Sequence, residues 1–203
     1  PVRSKPLLLA DGTLLCPSST EHDNDWRMHY EHLSNFDHPE LGSSWKRVEA
    51  KTQAYQVIQP SLLTQADGTI QALLRSKHSK IIQTFSTDNG LTWSKLEESG
   101  LPNPNSGIEA LTLADGRHLL LYNPSRGKRK DGWGDRKALH LAISMDGRNW
   151  KQAAIVEEVD EGELSYPAMI QTRDGKVHLT YTWKRESIKH LVLDPAKIEA
   201  GHR

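Results

Sequence analysis

Four times along the chain, an apolar stretch is followed by an Asp-Gly pair and then by a second apolar stretch. Asp-Gly between two strand-like runs favours a type I′ turn, in which both central residues have positive φ, so each copy predicts a β-hairpin. The copies lie at residues 7–15, 61–70, 111–119 and 169–179. This pattern predicts an all-β protein built from repeated hairpins.

A second repeated feature is a polar turn that ends in tryptophan, at 86–93 and in shorter form at 144–150, with a degenerate copy at 34–45. Its aspartate can accept hydrogen bonds from loop N–H groups, its glycine suits a left-handed backbone, and its indole can cover the apolar edge of a sheet. We predict a structural role for the main residues of this turn, which are Ser86, Asp88, Gly90, Trp93, Ser144, Asp146, Gly147 and Trp150.

The two features share one period. The Asp-Gly pairs begin at residues 11, 67, 115 and 174, which are 56, 48 and 59 apart, and the tryptophans at 45, 93 and 150 are 48 and 57 apart. A repeat of about 50 residues that carries four strands is the spacing of a β-propeller blade. The predicted strands are 5–10, 13–19, 27–34, 45–50, 59–64, 69–75, 80–86, 93–97, 108–113, 118–122, 137–144, 150–156, 167–172, 176–183 and 187–194.

These strands group into four antiparallel blades, at about 1–52, 53–100, 101–160 and 161–203, and the last has three strands. Four-bladed rings are rare beside six- and seven-bladed ones, so we predict the C-terminal part of a larger propeller. The chain begins at Pro1 without an initiator Met, which agrees with a start that lies further upstream. Missing N-terminal blades, or another copy of the chain, are then expected to complete the ring.

Composition narrows the classes of partner. The 203 residues include 26 Lys and Arg against 26 Asp and Glu, a balance that disfavours nucleic acid as the main ligand. Apolar runs are far shorter than the roughly 20 residues of a membrane span. Cys16 is the single cysteine, which excludes an internal disulfide framework and a multi-cysteine zinc site. The ten histidines show no metal-ligand spacing, so we predict no metal and no cofactor.

The 86–93 turn is the Asp-box of sialidase-type propellers, and other segments extend the likeness. Together they resemble the predicted-neuraminidase branch of the BNR-repeat superfamily, whose members are longer at the N-terminus. The segments are Gln-Pro-Ser-Leu-Leu at 59–63, Pro-Asn-Pro-Asn-Ser-Gly-Ile at 102–108, Ser-Tyr-Pro-Ala-Met-Ile-Gln at 165–171 and Tyr-Thr-Trp-Lys-Arg at 181–185. The resemblance implies a six-bladed propeller with its site at one end of the central channel. It also favours a secreted or periplasmic location over the cytoplasm.

In sialidases, three arginines hold the substrate carboxylate, an aspartate is the general acid, and a glutamate activates a tyrosine nucleophile. The resemblance implies that Tyr166 is the nucleophile, and the alternative is a ring that packs beneath a neighbouring blade. Gly107 and Asn123 stand where the pattern places the activating glutamate and one arginine. Glu109 and Glu163 are the candidates to replace that glutamate. The general acid is expected in the missing blades.

Counting from each Asp-Gly pair gives an independent test, because equivalent positions must lie at equivalent heights in the blades. Eight residues before and eight after each Asp are expected at one polar end of the channel. These positions are Arg3, Gln59, Gly107, Tyr166, Ser19, Arg75, Asn123 and Thr182. The predicted substrate-binding residues are Arg3, Lys5, Gln59, Arg75, Asn105, Asn123, Trp183 and Arg185. For Arg75, a scaffold role beside an aspartate is the alternative to binding a carboxylate.

Two further features bear on substrate binding. Trp26, Trp133 and Trp183 are candidates to stack on sugar rings. The basic run at 126–132 is predicted to be a solvated insertion, with contact to an anionic substrate as the alternative.

These observations favour an exo-acting glycoside hydrolase for an acidic sugar of a glycan. One alternative is a polysaccharide lyase, in which Tyr166 would move a proton at a uronic acid carbon while Arg75 neutralises the carboxylate. The other is a carbohydrate-binding propeller without catalysis, which agrees with Gly107 and Asn123 in place of Glu and Arg.

Overall fold

The computed structural model describes residues 3–22, 25–36, 38–50, 55–130 and 132–199. These residues form fifteen β-strands and two short 3-10 helices, Pro39–Leu41 and Pro195–Lys197. The strands make four separate antiparallel sheets, and each sheet is one blade of a propeller. The prediction of an all-β propeller with four blades in this chain is confirmed.

Strand order within each blade follows chain order. The first blade contains β1 (Leu7–Leu8), β2 (Leu14–His22), β3 (Asp25–Leu33) and β4 (Trp45–Glu49). The second contains β5 (Val57–Thr64), β6 (Ile70–Ser76), β7 (Lys80–Ser86) and β8 (Glu97–Pro102). The third contains β9 (Glu109–Thr112), β10 (His118–Tyr122), β11 (Ala138–Ser144) and β12 (Lys151–Glu158). The fourth contains β13 (Leu164–Gln171), β14 (Val177–Trp183) and β15 (Ser187–Leu193).

The Asp-Gly pairs do form hairpins, but their turns are not type I′. Gly68 has a φ of 84°, whereas Asp67 is absent from the residues with positive φ. The Gly68 N–H donates to the Gln65 carbonyl at 3.0 Å, which makes a turn that ends in one left-handed glycine. The Asp67 carboxylate accepts from the Thr69 N–H at 2.9 Å. That contact holds the aspartate in an ordinary backbone conformation and leaves the left-handed position to glycine alone.

The 86–93 turn is held together by its aspartate. Asp88 Oδ1 accepts from the Ser86 hydroxyl and from the Thr92 N–H, both at 2.8 Å, and Oδ2 accepts from the Thr92 hydroxyl at 2.6 Å. Trp93 Nε1 donates to the Gly90 carbonyl at 3.0 Å. The Trp93 indole stacks on Tyr30 of the first blade with ring centroids 4.1 Å apart. The turn therefore links two blades.

The 144–150 turn repeats this arrangement. Asp146 Oδ1 accepts from the Ser144 hydroxyl at 2.9 Å and from the Asn149 N–H at 2.7 Å, and Trp150 Nε1 donates to the Gly147 carbonyl at 2.9 Å.

One predicted strand is misplaced by these contacts. We predicted a strand at 93–97, but β8 is Glu97–Pro102. Trp93 is bonded back to Gly90, and the Ser94 N–H donates to the Phe85 carbonyl at 2.8 Å, so both residues belong to the turn. The chain is free to extend as a strand only after this turn is complete.

The hydrophobic core lies between neighbouring blades rather than at one centre. The first and second blades bury Met28, Tyr30, Val57 and Leu74. The second and third bury Leu63, Leu73, Ala110 and Leu120. The third and fourth bury Leu139, Leu141, Met169 and Leu179. Each blade is thus stabilised by the face of its neighbour, at roughly 25 cal/mol per Å² of buried apolar surface.

The far face of the fourth blade exposes apolar side chains. Ile188 is 76% exposed, Val192 52% and Ile170 50%. No other sheet in the described part of the chain covers these residues. The predicted larger ring and its blade boundaries stay predictions, and the first boundary, near residue 52, lies outside the described residues. Among the described helices, none is long and apolar enough to cross a membrane.

Candidate functional site

Two strand bulges bring polar side chains close to arginines. Gln59 in β5 and Tyr166 in β13 have positive φ, 55° and 53°, and the strand register shifts at both places. A bulge turns a side chain out of the alternation of its strand. We call the surface formed by Arg3, Gln59, Arg75, Arg136 and Tyr166 the mouth.

Arg3 crosses the mouth from the first blade to the third and fourth. Its Nη1 donates to the Ile108 carbonyl at 2.9 Å, and its Nη2 donates to the Pro167 carbonyl at 2.8 Å. Its guanidinium lies 5.8 Å from the centre of the Tyr166 ring. Burial lowers the pKa of Arg3, and the charges of Glu109 and Tyr166 oppose that shift. Because Ile108 follows Gly107 and Pro167 follows Tyr166, these bonds bring Arg3 close to Gly107 and Tyr166, two other positions that the repeat register predicted at the same height.

Arg75 ends the second hairpin and is buried, with 6% of its surface exposed. Its Nε donates to Asn105 Oδ1 at 2.7 Å, and its Nη1 donates to Gln59 Oε1 at 3.4 Å. Burial and the nearby charge of Arg136 lower the pKa of Arg75 to about 10, although Tyr166 opposes the shift. The guanidinium is bonded to two neutral side chains and has no carboxylate partner among the described residues. Its positive charge is therefore available to an anion.

Arg136 is the residue that our sequence analysis missed. It is 3% exposed, and its Nη2 donates to the Asn105 backbone carbonyl at 2.8 Å, so Asn105 contacts both buried arginines. Arg136 Nη1 lies 3.7 Å from Glu163 Oε2, too far for a hydrogen bond. Within the described residues, Arg136 Nε and Nη1 are buried without a hydrogen-bond partner. Leaving a buried charged donor unpaired costs about 1–3 kcal/mol or more, so a site of this kind suits an anionic ligand.

Both candidate carboxylates are held by other cations. Glu109 is buried and pairs with Lys5, and burial raises its pKa despite that pair. Glu163 accepts from Arg185 Nε at 2.7 Å and from the Ser165 hydroxyl at 2.9 Å. Burial would raise the pKa of Glu163, but these hydrogen bonds outweigh it and lower the pKa. Neither carboxylate is hydrogen-bonded to the Tyr166 hydroxyl in the described residues.

Tyr166 instead faces arginines. Its side chain is 42% exposed, and it interacts electrostatically with four guanidinium groups. These belong to Arg3, Arg75, Arg136 and Arg185. The field around the phenol is therefore positive, which favours an anion at this place.

Two predicted substrate-binding residues lie away from this cluster. Asn123 is fully buried, and its Nδ2 donates to the carbonyls of Ala138 and Leu164 at 2.7 and 2.9 Å. Trp183 donates from Nε1 to Glu157 Oε1 at 2.9 Å. Asn123 thus joins strands of the third and fourth blades, and Trp183 at the end of β14 reaches β12 of the third blade. Their predicted roles in substrate binding stay predictions.

A cavity of about 250 Å³ opens beside the mouth, between the first and second blades. Arg3, Ser19, Glu21 and Gln59 line part of it. Arg3 thus borders both the cavity and Tyr166, which makes the cavity continuous with the mouth. In the described part of the chain, no group of three or more His, Cys, Asp or Glu side chains converges as metal ligands would.

Comparisons with known proteins agree with this fold. Residues 1–179 match the family model described as BNR repeat-like domain. A comparison with curated proteins gives no significant match. Similar solved structures include a protein of unknown function from Dyadobacter fermentans DSM 18053, with 21% identity and a TM-score of 0.68. The match covers 89% of this chain and 48% of that one.

Two sialic-acid enzymes are also similar in structure. The NanB sialidase of Streptococcus pneumoniae is 16% identical with a TM-score of 0.70, over 96% of this chain and 31% of that one. The intramolecular trans-sialidase of Ruminococcus gnavus is 18% identical with a TM-score of 0.68, over 97% of this chain and 44% of that one. The chain therefore spans less than half the length of these structures. It belongs to the BNR repeat-like family, with the fold of a sialidase-type β-propeller.

Proposed function

We propose that this chain carries the carboxylate-binding part of a glycoside hydrolase that removes an acidic sugar from a glycan. The observation that carries the proposal is the buried Arg136 guanidinium, which lies beside Arg75 and whose Nε and Nη1 have no hydrogen-bond partner among the described residues. A carboxylate accepts hydrogen bonds from planar guanidinium donors in matched pairs, and burial strengthens such bonds. A sugar carboxylate would satisfy the Arg136 donors and offset the repulsion between the two arginines.

Tyr166 is the proposed nucleophile. Its phenol oxygen would attack the anomeric carbon, the bond from that carbon to the leaving oxygen would break, and water would later cleave the aryl glycosidic bond between Tyr166 and the sugar. The phenol proton needs a base, and the leaving oxygen needs an acid. In this proposal both groups come from residues outside the described part of the chain.

A lyase reaction on a uronic acid is the second candidate. The observation in its favour is that no described carboxylate contacts the Tyr166 hydroxyl, while four arginines surround it. In that reaction Tyr166 accepts the proton from the carbon next to the carboxylate, and the glycosidic oxygen leaves with formation of a carbon–carbon double bond. Arginines that neutralise the carboxylate make that proton easier to remove.

Turnover of aryl glycosides of sialic and uronic acids by the full-length protein tests the proposal. We expect release of the aryl group, and a loss of about three orders of magnitude in Tyr166→Phe. An unsaturated product that absorbs in the ultraviolet would instead support the lyase. Absence of any turnover by correctly folded protein, with acidic sugars still bound, would leave a carbohydrate-binding propeller.

Direct binding of the free acid sugars tests the carboxylate site separately from catalysis. Arg136→Gln is expected to weaken binding by about 10- to 100-fold, the value of a hydrogen-bonded charge, without changing binding of the sugar methyl ester. Arg148→Gln removes the same charge from an exposed residue of the 144–150 turn and serves as the control. Equal effects on acid and ester would contradict a carboxylate site at Arg136.

A further inference from the structure

Each of the two buried arginines is covered by a tryptophan at the edge of the mouth. The Arg75 guanidinium lies 5.4 Å from the centre of the Trp26 ring, and the Arg136 guanidinium lies 4.0 Å from that of Trp133. Trp26 also contacts Lys77, whose Nζ is 4.3 Å from the ring centre. The two indoles therefore border the mouth at Arg75 and at Arg136. The Trp26 indole also contacts a further cation, Lys77.

The basic insertion between β10 and β11 is folded back on itself. Gly127 and Gly134 form an isolated antiparallel bridge, and the N–H groups of Lys128 and Arg129 donate to the Trp133 carbonyl at 2.9 and 3.2 Å. This segment is therefore a small hairpin, and its basic residues are exposed, in agreement with the solvated insertion that the sequence predicted.

The hairpin rests on the turn that carries Lys77. The Ser79 hydroxyl donates to the Gly127 carbonyl at 3.4 Å. Gly132 packs so closely on this turn that a Cβ at its position would lie 2.5 Å from the Lys77 carbonyl oxygen. The insertion is thus held beside Lys77, which is two residues from Arg75 in the chain and contacts Trp26.

Positive charge accumulates along this edge although the whole chain has a formal net charge of zero. Four of the five residues at 126–130 are Arg or Lys, and Lys128 and Lys130 are exposed. Two acids, Asp131 and Asp135, stand in the sequence of this segment against the four basic residues. Like charges held together by a fixed backbone repel each other, and a polyanion relieves that repulsion.

We propose that Lys77, Lys128 and Lys130, the basic rim, bind a second anionic group of the substrate. That group is a carboxylate or sulfate on the sugar next to the one held by Arg75 and Arg136, so the substrate class is a glycan with repeated negative charge. This inference rests on the proposed function for the location of the first sugar. Trp26 contacts both Arg75 and Lys77, so it lies between the two places.

The test measures binding of defined oligosaccharides to the full-length protein. The probes are a hexasaccharide of galacturonate, a sulfated chondroitin hexasaccharide, a neutral cello-hexaose and galacturonate itself. The triple variant Lys77→Ala, Lys128→Ala, Lys130→Ala is expected to bind an acidic hexasaccharide about tenfold more weakly at low salt, with no change for the monosaccharide. The acidic hexasaccharide that shows the larger loss identifies carboxylate or sulfate as the second group.

A matched control removes three lysines from outer positions. Lys46, Lys95 and Lys151 are exposed and lie on or beside the fourth strands of the first three blades. Their triple alanine variant is expected to bind as the parent does. Raising the salt from about 20 to 200 mM should remove most of the difference between parent and rim variant, because exposed charges are screened.

Equal losses in the rim and control variants, or unchanged binding in both, would overturn the inference. So would an equal loss for cello-hexaose. Rim-dependent binding of an acidic hexasaccharide without turnover of any glycoside would support the basic rim and contradict the proposed hydrolase. Turnover of a glycoside, with equal binding of the acidic hexasaccharides by the parent and the rim variant, would support the proposed hydrolase and contradict the basic rim.

Discussion

Gln59 and Tyr166 occupy the same position in two different blades. Each is the positive-φ residue of a bulge in the first strand of its blade, each is followed by proline, and each interacts with Arg75. Gln59 has an amide and Tyr166 has a phenol, so neither places a carboxylate beside Arg75 that would cancel its charge. From this equivalence we infer that Gln59 is a positioning residue for the proposed carboxylate site.

Gln59→Glu would place a carboxylate beside Arg75 Nη1. We expect binding of an acidic sugar to weaken by about tenfold or more, because the new carboxylate competes with the ligand for the guanidinium. Gln59→Ala removes the acceptor without adding charge and should change affinity by less than about threefold. Titration calorimetry with the acid sugar and its methyl ester checks this, since only the acid should respond. Tighter binding of the acid by Gln59→Glu would refute the assignment.

Position 107 requires glycine because the Arg3 side chain packs against it, and not because of a left-handed backbone conformation. A Cβ at position 107 would lie 2.8 Å from Arg3 Nη2 and 2.9 Å from its Cζ. Gly107→Ala is therefore expected to displace Arg3 and to destabilise the protein by roughly 1–3 kcal/mol. Chemical denaturation of Gly107→Ala, Arg3→Ala and the double variant measures the coupling between the two sites. Additive losses would mean that the clash with Arg3 is not the cause.

Asp88 and Asp67 are both turn aspartates, but their carboxylates accept different numbers of hydrogen bonds. Asp88 accepts three hydrogen bonds, whereas the Asp67 carboxylate accepts one from the Thr69 N–H. Asp88→Ala should lower the free energy of unfolding by about 1–3 kcal/mol, and Asp67→Ala by less than about 1 kcal/mol. Thermal or urea unfolding distinguishes them. A larger effect at Asp67 would contradict the structural role assigned to the 86–93 turn.

His118 predicts a loss of stability in mild acid. It is 1% exposed, its ring nitrogens contact Thr112 Oγ1 and Gln65 Oε1 at 3.1 Å, and burial lowers its pKa from the ordinary value of 6.5. The unfolded chain therefore binds more protons than the folded chain just below pH 6.5. We expect the free energy of unfolding to fall as the pH drops from about 7 to 5, and to fall less in His118→Gln.

An exposed histidine provides the control for that measurement. His78→Gln makes the same substitution at an exposed position and shows how far the exchange itself alters the free energy of unfolding. A slope that is the same in the parent and in His118→Gln would rule out His118 as a source of the acid sensitivity.

Repeats made the fold predictable, and the same repeats limited what could be found of the site. Every predicted strand has a counterpart because the hairpins and tryptophan turns mark each blade twice. Tyr166 and Arg75 were found by counting from an Asp-Gly pair. Arg136 has no such marker: it follows a blade-specific insertion and lies two residues before β11, outside the repeated hairpins. Its burial depends on Trp133 and Asn105, which only tertiary structure brings to it.

Contacts that only the folded structure forms also explain why the turn type was predicted wrongly and why the partner of Glu109 was not predicted. Asp-Gly indicates a hairpin, but the Asp67 contact with Thr69 selects the loop with a single left-handed residue. Its place in the sequence made Glu109 a candidate to replace the activating glutamate, yet the sequence could not reveal that Lys5 reaches it from another blade. Interactions across blades are set by the twist and packing of sheets, which leave no local pattern in the sequence.

The two backbone carbonyls that Arg3 binds lie 105 and 164 residues away in sequence. During synthesis from the N-terminus, Arg3 emerges before its partners at Ile108 and Pro167, and the second partner follows only after most of the residues between them have been made. Contacts of such long range form slowly, since the entropy of closing a large loop is lost before they are gained. The blades can fold one after another on the ribosome, whereas the mouth is assembled at the end, as the last step of maturation.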